Sequence, residues 1–322
     1  MKKKKIALIV GGTGQLGITL SKILIKKNIS TIITSRDPTK NNYINEYGVL
    51  LRKLNIYNKK EIRKILYDLK PNFIFYFASQ SSPKKSFKKR GETMASNFLG
   101  CKNFLDIINL EHQKCKFINA ASSEMYGKIN GKITINTPKI PVNPYGKSKV
   151  KSFDLTSLYR SKYKLKTYNA VIFNTDSFYR NKNFLIPKIC IAAINAKKFD
   201  MKTTFGNIKI SREWNWADEQ MEYLYKFIQK KPQDFILSNG KNYKISEMMN
   251  FAFNYLKIDY KKYILSNEKF SQKNEIIEKK SNFKNCLKRN RIKRTSTVFG
   301  KKLTIKLINF ILNNKKFYNL QN

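Results

Sequence analysis

The apolar run Ile6-Ala7-Leu8-Ile9-Val10 passes directly into Gly11-Gly12-Thr13-Gly14-Gln15-Leu16-Gly17, and from Gln15 onward the chain reads as a helix. A strand, a glycine turn and a helix in immediate succession open a βαβ unit, which commits the chain to parallel strands joined by crossover helices. Glycines at 11, 14 and 17 permit a tight turn, let backbone N–H groups face a pyrophosphate, and bring the positive end of a helix to it. The turn reads as a dinucleotide site, with Gly11, Thr13, Gly14, Gln15, Leu16 and Gly17 as its expected contacts; a purely structural bend is the alternative.

The same alternation continues downstream. Thr31 to Ser35, Phe73 to Phe77, Lys116 to Ala121 and Thr167 to Phe173 read as further strands, with helices predicted over Gln15 to Lys27, Lys59 to Leu69, Glu92 to Leu110 and Pro144 to Tyr163. Phe73 to Phe77 is continuously apolar, as suits a sheet covered on both faces. Beyond Asn174 the elements shorten, with helices near Pro187 to Ala196, Glu219 to Gln229 and Ile245 to Leu256. The expected fold is α/β, a doubly wound, Rossmann-like parallel sheet. Residues 1–174 would bind the cofactor and carry the catalytic groups, and residues 175–322 would form mainly a smaller substrate lobe, with segments returning to the core.

Charge and cysteine usage bound the partners. Lys and Arg outnumber Asp and Glu by 65 to 21, a net charge of +44, which by itself points toward polyanions. The lysines are scattered rather than gathered into one patch, so nucleic-acid binding on this fold stands only as a rival reading. An apolar share of 41% with 13% aromatics is that of a folded chain. Cys101, Cys115, Cys190 and Cys286 lie far apart without metal-ligand spacing, which reads as reduced thiols in a cytoplasmic protein with no metal site. Lys2 to Lys5 before an apolar run imitate a secretory signal, but the run breaks into the glycine turn without a cleavage site, and nothing approaches the ~20 apolar residues of a membrane span. His112, in a polar connection, reads as a surface residue.

The second strand ends at Ser35-Arg36-Asp37. A carboxylate at the end of that strand usually holds an NAD ribose; Ser35 with Arg36 suits the 2′-phosphate of NADP instead, while Asp37 and a turn role for Arg36 keep NAD open. Asn55 and Ile56 are expected at the adenine, and Phe77, Ala78, Ser79, Gln80 and Ser81 along the cofactor after Phe73 to Phe77.

Tyr145 and Lys149 are four apart on a helix and share a face. A neighbouring ammonium and an oxidised nicotinamide would stabilise the phenolate, poising it as a base for a sugar hydroxyl. Ser122, just past the strand Lys116 to Ala121, can bind the same oxygen. Hydride transfer and hydroxyl deprotonation need only this triad, whereas taking a proton from the carbon beside a new ketone needs a further base, for which Glu124 is placed. The alternative for Glu124 is a solvated loop carboxylate.

These motifs carry a resemblance. The spacing Gly-x-x-Gly-x-x-Gly resembles extended short-chain dehydrogenase/reductases. Ala121-Ser122-Ser123-Glu124-Met125-Tyr126-Gly127, Pro144-Tyr145-Gly146-Lys147-Ser148-Lys149, Phe173-Asn174, Asn183-Phe184, Gly206-Asn207 and Arg212-Glu213-Trp214 resemble the GDP-mannose 4,6-dehydratase family in the same order, over most of the chain to about Phe253. The resemblance implies removal of water from a nucleotide hexose with internally recycled NADP. By it, Ser122 stands for the catalytic Thr or Ser, Glu124 is the acid/base, Tyr145 and Lys149 do the redox work, and Arg180 meets the cofactor. Ser82, Asn174, Asn183, Phe184, Lys188 and Arg212 would bind the substrate, and a homodimer is implied. Thr175 replaces a family His, Asp37 a common second Arg, and Gln272-Lys273-Asn274-Glu275 an Arg-Pro-x-Glu segment; the loop after the second strand is short for a tetramer. A 4-epimerase or 4-reductase, for which Tyr145 and Lys149 suffice, is the enzymatic alternative.

Overall fold

In the computed structural model the described residues are 4–38, 49–111, 114–127, 129, 131–267 and 277–314. Seven parallel strands form the central sheet: β1 (Ile6–Val10), β2 (Ser30–Ser35), β3 (Leu50–Lys53), β4 (Phe73–Tyr76), β5 (Lys116–Ser122), β6 (Lys166–Ile172) and β7 (Asp234–Leu237), in the order β7-β6-β5-β4-β1-β2-β3. The five strands foreseen are all present. The two edge strands β3 and β7 were not foreseen, because an edge strand of four residues carries little periodic signal.

The sheet is buried on both faces, which is why β1 and β4 read as unbroken apolar runs. On one side Ile9, Phe75, Ile118 and Val171 pack with helices Gln15–Lys26 and Ala217–Phe227; on the other Leu8, Ile74 and Phe117 pack with Lys59–Leu69 and Gly100–Leu110. From β1 the chain moves outward first to β2 and β3, then returns past β1 to β4. That reversal opens a crevice at the carboxyl ends of β1 and β4, where open α/β sheets bind ligands.

A second core joins helices Leu185–Phe199, Ile245–Tyr255 and Lys301–Asn313 with Trp214 and Trp216. Helix Ala217–Phe227, β7 and helix Phe283–Arg289 lie between these elements in sequence, yet Met221, Phe235, Phe283 and Leu287 belong to the sheet core. The predicted helix over Glu92 to Leu110 begins at Arg90 and is interrupted by one π-helical turn, Ala95–Leu99. His112 and the segment 272–275 lie outside the described residues.

Candidate active site

The crevice is a cleft of about 620 Å³, within the range of small-molecule sites. Its floor is the glycine turn, where Gly11 sits at φ +73 and a Cβ there would lie 2.6 Å from the backbone of Ala78. The β1 turn and the loop after β4 therefore touch only because position 11 has no side chain. Gly14 caps helix Gln15–Lys26 without a side chain of its own, and the first turn holds no carboxylate. A helix start of this kind offers amides and a positive dipole end to an anion. Gly11, Thr13, Gly14, Gln15, Leu16 and Gly17 all line the cleft. Gln15 also spans it, donating from Nε2 to Thr175 O at 2.8 Å and accepting from Ser177 Oγ at 3.1 Å.

At the end of β2, Thr34, Ser35 and Arg36 line the cleft and Asp37 does not. Ser35 Oγ closes a local turn with the backbone of Asp37, accepting from its N–H at 3.2 Å. Of the two residues expected at the adenine, Ile56 lines the cleft and Asn55 does not. The Asn55 side chain is exposed and accepts from Tyr57 N–H at 3.0 Å, so Leu54, Ile56 and Tyr57 face the cleft in its place. Phe77, Ala78, Ser79, Gln80 and Ser81 lie along the wall as expected.

This wall is tied to the catalytic helix by a residue that sequence reasoning missed. Asn97, fully buried in the π-helical turn, accepts from Gln80 N–H at 3.0 Å and donates to Ser148 Oγ at 2.9 Å. A π-turn displaces one side chain from the regular helical stripe, and only that displacement brings Asn97 between the β4 loop and helix Pro144–Lys162. No periodic pattern announces it.

Helix Pro144–Lys162 starts with Pro at its first turn and Asn143 as its cap, Asn143 Oδ1 accepting from Gly146 N–H at 2.7 Å. A Cβ on Gly146 would lie 2.2 Å from Glu124 O, so glycine lets the helix start press against the Ser122–Glu124 segment. Tyr145, Lys149 and Ser122 meet in the cleft as the sequence indicated. The expected depression of the phenol is not supplied by the side chains. Burial pushes Tyr145 up to about 12, and Glu124 adds to that, against the opposing Ser122 and Arg180. Lys149 Nζ sits 5.8 Å from the phenol ring centroid and donates to Ala120 O at 2.7 Å; burial brings its own pKa down to about 8.

Glu124 lies in the same cleft and is not a solvated loop carboxylate. Its Oε2 accepts from Asn143 Nδ2 at 2.9 Å, and its Oε1 is 2.8 Å from Lys279 Nζ. The Glu124 side chain is 20% exposed and that of Lys279 1%. Burial alone would raise the carboxyl's pKa, but Lys279, Asn143 and Arg212 outweigh it and hold Glu124 below the usual carboxylate range.

Arg180 and Arg212 also line the cleft, with Asn174 and Phe184. The Arg180 guanidinium stacks 3.5 Å over the Phe184 ring, and its Nε, 3.7 Å from Asp176 Oδ1, makes no hydrogen bond. Asp176, unforeseen, is buried at the cleft and pushed up to about 6 by desolvation against Arg180. Three residues expected at the substrate lie elsewhere than on the cleft lining. Ser82 caps helix Pro83–Lys88, accepting from Lys85 N–H at 3.3 Å; Asn183 is exposed on the turn before Leu185; Lys188 donates to Thr204 O at 3.0 Å and sits over the Phe205 ring. None of the three lines the cleft. Among the described residues no group of three His, Cys, Asp or Glu could hold a metal, and no helix is long and apolar enough to cross a membrane.

A parallel sheet with a glycine turn at its reversal point, and Ser, Tyr and Lys at the ends of β5 and its following helix, is the architecture of the extended short-chain dehydrogenases/reductases. The family model of GDP-mannose 4,6 dehydratase matches residues 8–303. The chain belongs to that family. It is 28% identical over 294 residues to GDP-mannose 4,6 dehydratase 1 of Arabidopsis thaliana, covering 86% of this chain and 81% of the relative. It is 29% identical over 280 residues to GDP-mannose 4,6-dehydratase of Vibrio cholerae, covering 80% and 73%. Among solved structures it superimposes on a dTDP-glucose 4,6-dehydratase of Streptomyces venezuelae, determined with NAD and TYD bound, with a TM-score of 0.86 at 16% identity over 97% of this chain and 98% of the other.

Proposed function

We propose that this chain converts GDP-mannose to GDP-4-keto-6-deoxymannose, using NADP that is regenerated within each turnover. The observation that carries this reading is Glu124. A carboxylate that is held charged in the same cleft as Tyr145 is the extra base that dehydration requires and that epimerisation or simple reduction does not.

The cleft fits a dinucleotide: the close approach at Gly11, the uncapped helix start at Gly14 and the cation Arg36 offer, in turn, room, amides and charge for its phosphates. The coenzyme supplies a hydride acceptor, and later donor, beside the sugar. Gly11, Thr13, Gly14, Gln15, Leu16, Gly17, Arg36, Ile56, Phe77 to Ser81, Lys149 and Arg180 are assigned to it. Ser35 and Arg36 line the cleft and Asp37 does not, which favours NADP over NAD.

In this reading Tyr145 takes the proton of the C4 hydroxyl, whose oxygen Ser122 also holds, as the C4 hydride departs. Lys149 supports the buried phenolate electrostatically. Glu124 then removes the C5 proton next to the new C4 ketone. The C6 hydroxyl leaves as water, taking the proton from Glu124; the proton held by Tyr145 then returns to the sugar at C5, and with the hydride that the bound coenzyme would give back at C6 the balance is a redox-neutral loss of one water. Asn174, Phe184 and Arg212 are assigned to substrate, and Arg212 is the cation for its diphosphate. The same reading places the protein in the cytoplasm as a homodimer, for which Leu99 and Leu158, each about half exposed on helices that pack together, offer apolar surface.

The test is incubation of purified protein and NADP with a panel of nucleotide hexoses, followed by mass. Loss of water from GDP-mannose without added reductant is expected. A stereoisomer of unchanged mass would establish the epimerase, and stoichiometric NADPH consumption the reductase.

A further inference from the structure

The mechanism leaves one buried cation in the cleft without a role. Lys279 is 1% exposed, lies 155 residues from Glu124 in sequence, and ends with its ammonium 2.8 Å from Glu124 Oε1 and 3.4 Å from Ser123 O. A long, flexible side chain is not brought into so enclosed a place by its own preference. The segment that carries it is clamped. Two residues on, Ser281 donates to Glu213 twice, from N to Oε1 at 2.5 Å and from Oγ to Oε2 at 2.9 Å, and Glu213 is itself wholly buried and also accepts from Gly240 N–H at 2.9 Å. Ser281 further bridges to Ile133, and Glu278 to Ser211, so this short extended segment is pinned on both sides of Lys279. The Glu213 of the Arg212-Glu213-Trp214 motif thus has a definite task, which is to hold the Lys279 segment in register.

From this geometry we infer that Lys279 is a positioning residue for the dehydration step, orienting the Glu124 carboxylate through Oε1 while Asn143 orients it through Oε2. The inference rests on the proposed dehydratase reading. A carboxylate accepts about four hydrogen bonds, so one partner on each oxygen fixes its plane and still leaves lone pairs for the C5 proton. The ammonium acts at both halves of the elimination. It keeps Glu124 charged before the C5–H bond breaks, when the proton passes to the carboxylate and the electrons enter the enolate of the C4 ketone. It then makes the protonated carboxyl a better donor, as the C6–O bond breaks and that proton leaves with the hydroxyl as water. The charged and titratable groups facing Glu124 are Lys279, Arg212 and Tyr145, and those facing Lys279 are Glu124 and Arg212. Arg212, also in the cleft, donates from Nη1 to Ser211 O at 2.8 Å and to Ile277 O at 3.2 Å.

The experiment compares the full-length parent with Lys279→Met and Lys279→Arg. Turnover on GDP-mannose is followed from pH 5 to 9, and the Glu124 carboxyl is titrated separately by carbon-13 NMR with labelled glutamate, assigned through Glu124→Gln. In Lys279→Met the acid limb of kcat/KM should move up by about one pH unit or more, with kcat at pH 7 down roughly tenfold or more, KM within about threefold and NADP affinity unchanged. Lys279→Arg should restore the limb. The NMR titration of Glu124 should shift up in Lys279→Met whether or not any sugar is turned over. An unmoved titration overturns the inference even if the parent dehydrates GDP-mannose. A large rise in KM with an unmoved acid limb overturns it in favour of a substrate contact. A parent that dehydrates nothing but shows the shifted titration refutes the dehydratase reading and leaves the Lys279–Glu124 coupling standing. Should Lys279→Met fail to fold, Lys279→Gln, uncharged but able to donate, carries the same comparison.

Discussion

The two walls of the cleft are built on different principles. The wall beside the glycine turn comes from residues 11, 13–17, 34–36 and 77–81, short runs at the ends of parallel strands. The opposite wall is assembled from single residues: Glu124 on a short turn after β5, Asn143 at a helix cap, Arg212 in a three-residue strand, and Lys279 beyond all of these. The first uses backbone, whose amides and close approaches are fixed by local sequence. The second uses side-chain charge, which acts only where the tertiary fold brings opposite groups within a few ångströms. Cofactor recognition and sugar chemistry should therefore separate cleanly under mutation.

The largest expected effect is on the chemical wall. Glu124→Gln keeps the shape and the Asn143 contact but removes the base, so turnover of GDP-mannose should fall by roughly 10²-fold or more while NADP affinity is retained. Steady-state kinetics with parallel cofactor titration checks both. Equal losses in turnover and cofactor affinity would show that the walls are not independent.

On the other wall, Arg36→Ala should weaken NADP binding by roughly tenfold to a hundredfold, the size of a charge-assisted contact of about 1.5–3 kcal/mol, and should leave NAD binding nearly unchanged. Fluorescence titration with both coenzymes measures it. Equal affinities in the parent would instead make Arg36 a turn residue and Asp37 the reader of the ribose.

The smallest effect lies where the walls meet. Asp176 has its folded-state pKa raised to about 6 from an ordinary value of 3.8, by burial. Between these values the folded protein binds more protons than the unfolded one, so this group's contribution to stability falls as pH rises from about 4 to 6 and stays unfavourable above that. Asp176→Asn should be nearly neutral at pH 4 and, in the cofactor-free protein, stabilising above pH 6 by about 1–2 kcal/mol, after allowance for the lost Arg180 contact. Urea unfolding at the two pH values decides it, and a variant equally or less stable at high pH would mean that Arg180 fully compensates the buried carboxylate.

Much of this molecule was legible in one dimension, for reasons that differ by residue. The apolar runs of β1 and β4, the glycine turn and the Tyr145/Lys149 spacing are local patterns, and each of them lies where the pattern indicates. Ser82, Asn183 and Lys188 were carried over by resemblance, and the structure uses each in local capping, a surface turn or a contact outside the cleft. Asn55 likewise is absent from the cleft lining, and its side chain closes its own turn.

By itself the sequence determined the parallel sheet, the position of the cleft at its reversal point and the sharing of one helix face by Tyr145 and Lys149, because strand periodicity, glycine conformational freedom and i,i+4 geometry act within a few residues. Only the tertiary structure decided that Asn97 joins the β4 loop to helix Pro144–Lys162, that Asp37 is not among the residues lining the cleft, and that Glu124 meets Lys279. Those outcomes depend on electrostatics and hydrogen bonding between segments up to 155 residues apart, and such interactions exist only after burial has removed the water that would otherwise satisfy each group alone.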